Sequence, residues 1–310
     1  MPTATTFENF QITNLGPLTA TFTAPAPCYT GGTGALAYAF KALPEAMYWA
    51  NVCTLPTADA CVPSGSAIAQ WQSSHWLDVA QTLVPYYSPA VDCPAGWTTA
   101  GITARNTDGS PGTASGAFSM NISTATTAAP GLAGRPNFLP QQVALAQVLD
   151  PGETAVLCCP SGYTAHSAGP VCYSVLSSQP PLAGATACQL DYFPGELPTA
   201  HRNLTVDGRV VSTAFLLPPT SSISVIAVTT TFGASATTAL VAEKRFAMLN
   251  LVHKASDASA APGASSSSGG AAPTPSTNAA AGVRRRLAGV GGVWQAAVIM
   301  SAGAAFMLQL

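Results

Sequence analysis

The tightest constraint on this chain is a pair of adjacent cysteines, Cys158 and Cys159. A disulfide needs a Cα separation and a dihedral that two residues joined by a normal trans peptide do not supply. In an oxidised chain each cysteine must therefore reach a different partner, and the segment is pinned to two places at once. Glu153 to Cys159 reads as a short strand. Pro160-Ser161-Gly162 reads as a tight turn, because Pro fixes φ and Gly tolerates positive φ. The expected unit is a strand, a double staple and a turn.

The same signature occurs earlier. Cys93-Pro94-Ala95-Gly96-Trp97-Thr98 aligns with Cys159-Pro160-Ser161-Gly162-Tyr163-Thr164, so a Cys-Pro turn ends twice in Gly plus an aromatic residue. This is a duplicated local motif and not a solenoid, since nothing else repeats at that period.

The remaining cysteines are Cys28, Cys53, Cys61, Cys172 and Cys188. An even total of eight favours an oxidised framework. Full pairing leaves about 105 connectivities open to sequence reasoning. Cys53 and Cys61 are close enough to close a small loop. Zinc is the weaker reading, because no C-x2-C spacing and no paired histidines accompany the cysteines. No metal and no cofactor is expected.

Charged residues make up only 8% of the 310 residues, against about 25% in ordinary soluble domains. Ser, Thr, Ala, Pro and Gly take their place, which suits a surface solvated by hydroxyls and glycans. A net charge of −2 gives no case for a nucleic-acid partner. Asn121 and Asn203 begin N-glycosylation sequons, NIS and NLT.

Along the chain, Met1 to Cys28 lacks a basic region followed by an apolar run. The cysteine reading then predicts a leader that this sequence does not show. Phe10 to Phe22 alternates loosely and predicts an edge strand. Gly31 to Trp49 is too interrupted for a membrane span. Thr98 to Pro140 predicts mostly irregular loop. From Asn203 to Lys254 runs of β-branched residues surround Asp207-Gly208, a hairpin signal, and predict an antiparallel sheet of about four strands. The last run, AEKRFAMLNLVHK, also permits a helix.

The fold expected is mostly β with much loop. A disulfide-stapled ectodomain occupies 1–254, as one body or as two lobes at about 1–150 and 151–254. Residues 255–286 form a Ser/Gly/Ala/Pro linker that buries too little to offset its ordering entropy. Residues 287–310 form an uncharged apolar segment, about 36 Å long as a helix and so long enough to cross a bilayer. A GPI-attachment signal cleaved near Ser276 or Asn278 fits the small residues, spacer and apolar tail. A retained transmembrane helix and a tail anchor with a cytosolic body are the alternatives, and Arg284 to Arg286 favour a cytosolic flank.

No constellation for chemistry stands out. His75, His166, His201 and His253 lack metal-ligand spacing, and no nucleophile elbow or phosphate loop occurs. Asp191 and Glu196 are the sort of carboxylate pair that a glycosidase uses, as many chains have by chance. An enzyme is not expected. Trp71, Trp76, Trp97 and Tyr163, with Tyr86 and Tyr87, form either a small core or a stacking platform for sugar rings of a cell-wall polysaccharide.

The segments Tyr86 to Thr98 (YYSPAVDCPAGWT) and Glu153 to Thr164 (ETAVLCCPSGYT), with the stalk and apolar tail, resemble uncharacterised filamentous-fungal cell-surface proteins carrying CPxGY and CCPSGY motifs. The chain departs where that group has a cysteine after each turn, since Ala165 stands there. The resemblance implies a secreted or membrane-anchored surface protein and brings no activity with it. The expected function is structural or interactive, with polysaccharide binding as the alternative and a secreted hydrolase behind it.

Overall fold

The computed structural model describes residues 4–18, 22, 35–41, 43–51, 62–63, 82–119, 139–166, 171–193, 199–206, 209–216, 224–234 and 236–259. The described chain is mostly β. Its first strands are β1 (Ala4–Phe7), β2 (Phe10–Asn14), β3 (Ala35–Phe40), β4 (Leu43–Ala50), β5 (Thr82–Tyr86), β6 (Trp97–Arg105) and β7 (Pro111–Gly116). After helix α1 (Gln141–Gln147) come β8 (Glu153–Pro160), β9 (Thr164–Ala165), β10 (Val171–Val175), β11 (Thr186–Phe193), β12 (Thr199–Val206), β13 (Arg209–Leu216) and β14 (Ser224–Thr231). A single helical turn α2 (Ala236–Ala239) leads to β15 (Leu240–Ala247), β16 (Leu249–Lys254) and a short helix α3 (Ala255–Ser259).

β8 lies inside a four-stranded antiparallel sheet of order β16-β8-β6-β7. The three-stranded sheet β1-β2-β5 joins this sheet where β5 ends. There Tyr87 N–H donates to Asn250 O at 2.9 Å, and Val252 N–H donates to Tyr87 O at 2.8 Å. A second sheet has the order β14-β11-β4-β3-β15-β10-β9, and the β12–β13 hairpin forms a separate pair. Met248 alone separates β15 from β16, so the chain steps there from one sheet to the other.

Side chains alternate across a strand, and β8 buries both of its faces. Ala155 joins the cluster formed with Ile12, Val84, Tyr86 and the α1 residues Val143, Ala144 and Leu145. Leu157 and Cys159 meet Cys172, Phe246 and Met248 between the two sheets. Val156 and Cys158 face the other way, against Tyr87, Trp97, Leu249 and Leu251. Leu157 and Leu251 are wholly buried, and each such side chain contributes about 1.5–3 kcal/mol of transfer free energy. A fourth cluster in the larger sheet centres on Tyr38, Phe232 and Leu240, with Phe40 and Trp49 packed against it and edge-on ring contacts of 5.3–5.7 Å.

The expected strand over Glu153 to Cys159 is present as β8, and the Asp207-Gly208 signal lies between paired strands with Val206 opposite Arg209. Other expectations need correction. Phe10 to Phe22 was expected as an edge, but β2 sits between β1 and β5 with Phe10 and Ile12 buried. Thr98 to Pro140 was expected to be mostly loop, yet its described part supplies β6 and β7, because β8 offers β6 a pairing partner and Gly101 lets the backbone at Ser115 to Phe118 approach closely, while 120–138 lie outside the described residues. The four-stranded sheet expected after Asn203 is instead shared among three sheets. The run from Leu240 to Lys254 is strand, not helix. The ladders between β6 and β8 and between β3 and β15 join residues on either side of residue 150.

Candidate functional site: the doubly stapled strand

Cys158 and Cys159 bond two different partners, as their adjacency demands. Cys158 bonds Cys93 across 65 residues, and Cys159 bonds Cys172 across 13, each with a Cα separation of 5.7 Å. The alternation of β8 explains the arrangement. Cys158 points to the face where the β5–β6 connection passes, and Cys159 points to the opposite face and to β10. The first bridge ties the approach to β6 onto β8. The second ties the four-stranded sheet to the larger one. Cys188 on β11 is also disulfide-bonded, and no cysteine among the described residues is free. Cys28, Cys53 and Cys61 lie outside the described residues, and with them the expected Cys53–Cys61 loop.

The duplicated motif has the same geometry in both copies. Trp97 N–H donates to Pro94 O at 2.9 Å, and Tyr163 N–H donates to Pro160 O at 3.0 Å. The third residue of each turn is a glycine, Gly96 at φ 80 and Gly162 at φ 83. That conformation defines a type II turn and is strained for residues with a Cβ. The copies lie side by side. Trp97 pairs with Pro160 in the ladder, and Ser161 N–H donates to Gly96 O at 2.9 Å. Each turn therefore helps to hold the other, and the cysteine of the first copy bonds the residue next to the cysteine of the second.

The aromatic residues follow the core reading wherever they are described. Trp97 is 6% exposed, and Tyr86 and Tyr87 are 2% and 3% exposed. Their rings are covered by neighbouring side chains, so the stacking-platform reading is corrected for all three. Tyr87 donates its hydroxyl proton to Pro63 O. Tyr163 is half-buried and stands edge-on to Phe246, with ring centroids 5.2 Å apart, and burial raises its phenol pKa. Trp71 and Trp76 lie outside the described residues.

Asn203 is exposed on β12, opposite Ser212, with Thr205 also exposed. Asn121, Ser276, Asn278 and the segment 287–310 lie outside the described residues. Among the described residues no helix is long and apolar enough to cross a membrane. Nor do any three His, Cys, Asp or Glu side chains gather into a metal-ligand group there. His166 is buried, His201 is exposed and His253 is half-buried. Asp191 lies on β11 and Glu196 outside the described residues.

Four charged groups, three of them buried, were not singled out from sequence. Glu243 and Arg245 sit two apart on β15 and form an ion pair at 2.5 Å, with side chains 0% and 5% exposed. Arg245 also donates to Pro44 O at 2.8 Å. Burial raises the Glu243 carboxyl pKa, and Arg245 opposes that rise. Their spacing of two in a strand, which puts both on one face, was the available signal. Glu153 is fully buried and accepts from Asp150 N–H at 3.0 Å. Arg105 donates to Ala146 O, Gln147 O and Gly109 O at 3.0–3.3 Å, so a cation closes the C-terminal end of α1, where the helix dipole favours it.

No family model, no curated protein and no solved structure matches the chain.

Proposed function

We propose that this chain is a structural or interaction protein of a fungal cell surface. A disulfide-held β ectodomain over 1–254 is carried on the 255–286 stalk and anchored through 287–310. The anchor is a GPI attachment after cleavage near Ser276 or Asn278, or a retained transmembrane helix. The observation that carries this reading is the closure of Cys158 and Cys159 into two bridges, one to the β5–β6 connection and one to the larger sheet. Such bridges persist in oxidising compartments and are rare in the cytosol. The accessible sequon at Asn203 and the sparse surface charge agree with that compartment. No catalytic activity is assigned, and Trp97, Tyr86 and Tyr87, covered by their neighbours, offer no face to a polysaccharide.

The test is an intact mass of the protein taken from its own cells, alkylated without prior reduction. The expected result is no alkylated thiol, added glycan mass and, with a GPI anchor, loss of the tail beyond about residue 278. Fully alkylated cysteines on an unglycosylated full-length chain would instead indicate a cytosolic body on a tail anchor and would overturn the reading.

A further inference from the structure

A two-stranded hairpin standing alone is marginal in water and needs a packed face to hold it. The β12–β13 hairpin pairs with no third strand among the described residues. Alternation divides its side chains between two faces. On one face Val206 is buried in the cluster around Ile12, Tyr86 and Leu145, and Leu204 and Val211 pack against that cluster. Thr213 is buried on the same face, and Arg202 ties it to Glu8 at 2.7 Å.

The other face is open. Asn203, Thr205, Val210 and Ser212 are all exposed there. Val210 is 73% exposed, against 44% for Val175, the next most exposed large hydrophobic among the described residues. The register sets Asn203 against Ser212 and Thr205 against Val210. Val210 is therefore a diagonal neighbour of Asn203, a separation of about 7–8 Å in an antiparallel pair. Asn203 and Thr205 are the first and third residues of the NLT sequon, so the sequon and the exposed valine share one face.

We propose that the first N-acetylglucosamine of a glycan on Asn203 lies over Val210 and covers the solvent face of this hairpin. The inference rests on the surface reading, since the modification needs the secretory lumen. There the Asn203 amide nitrogen gives up a proton and bonds the anomeric carbon of a lipid-diphosphate-linked sugar, and the lipid diphosphate leaves from that carbon. One side of the pyranose ring presents C–H groups, and the acetamido group adds a methyl. Setting these against Val210 takes apolar surface of both out of water, while the sugar hydroxyls stay solvated. Attachment identifies the occupant. A sugar tethered to this face is present at an effective concentration of about millimolar or more with no second molecule to recruit, and a partner chain approaching Val210 would meet it first. The glycan then completes the packing of a two-stranded element that the chain itself covers on one side.

The test is a double-mutant cycle on thermal unfolding of the full chain from its own cells, disulfides intact. Its members are wild type, Asn203→Gln, Val210→Ser and the double variant, with occupancy of Asn203 read by glycopeptide mass. Asn203 should be occupied. Asn203→Gln should lower Tm by about 2–4 °C beside Val210, and by less than half as much in the Val210→Ser background, because the contact is already gone. If Asn203→Gln is not secreted, enzymatic removal of the glycan from the folded wild-type and Val210→Ser proteins supplies the same comparison. Trimming the wild-type glycan to its first sugar should leave Tm where it was, and a fall as large as that on full removal would overturn the proposal. Equal losses in both backgrounds on an occupied Asn203 also overturn it and leave the surface reading standing. An empty Asn203 with oxidised cysteines overturns the proposal alone, whereas an unglycosylated chain with free thiols overturns both.

Discussion

Glu243 and Arg245 show how a single residue is constrained here. The pair is nearly removed from water, and desolvation of two ions offsets much of their attraction. Deleting one partner strands the other. Glu243→Leu alone should destabilise the fold by about 3–5 kcal/mol, whereas Glu243→Leu with Arg245→Met should cost less than the sum of the single changes. Urea midpoints of the four proteins measure this, and strict additivity would show that the pair is not coupled. Tyr86 gives a pH dependence. Burial, then the nearby charges of Glu153 and Asp150, push its phenol up to about 12 from 10.0. Above pH 10 the unfolded chain loses this proton while the folded chain keeps it. Tyr86 therefore contributes stability that is fully present below pH 10 and is lost as pH rises towards about 12. Tyr86→Phe should flatten the fall in stability across that window, as read from unfolding midpoints at stepped pH.

At the scale of elements, the two Cys-Pro-x-Gly turns set where β6 starts and β8 ends, and each hydrogen-bonds the other. Gly162 holds φ 83 with open space where a Cβ would stand. Gly162→Ala should therefore cost about 1–2 kcal/mol through backbone strain alone, and Gly162→Asn less, since Asn tolerates the left-handed region better. Equal melting of the alanine and wild-type proteins would contradict the turn assignment. These turns were legible in sequence because Pro and Gly impose their conformations locally. β6 and β7 were not. Their Thr, Gly, Ala and Ser residues carry little strand preference of their own, and they form strands because β8 pairs along β6.

At the scale of the whole molecule, the two bridges have different tasks, and their loss should differ. Cys158→Ser opens a loop of 65 residues and Cys159→Ser one of 13. Restriction of the unfolded chain alone predicts losses of about 4 and about 3 kcal/mol respectively. The shorter bridge is the one that joins β8 to β10 across the two sheets, and its partner Cys172 is wholly buried. Cys159→Ser should therefore cost more than its loop length implies and should lower secreted yield sharply. Unfolding midpoints that rank the two variants by loop length alone would remove the inter-sheet role of this bridge.

The sequence by itself determined that adjacent cysteines must part, that β8 is a strand ending in a turn, and that the turn recurs at Cys93. Each of these follows from geometry confined to a few neighbouring residues. Only the tertiary structure decided which cysteine meets which, because that depends on which face of β8 each sulfur occupies and what lies opposite. It decided too that Trp97 and Tyr86 are core, since burial depends on packing partners distant in sequence. It likewise placed β15 and β16 in different sheets, a step that one intervening residue, Met248, allows but does not announce. Strand propensity acts along the chain, whereas sheet membership is fixed by which hydrogen-bonding edges and apolar faces remain to be covered.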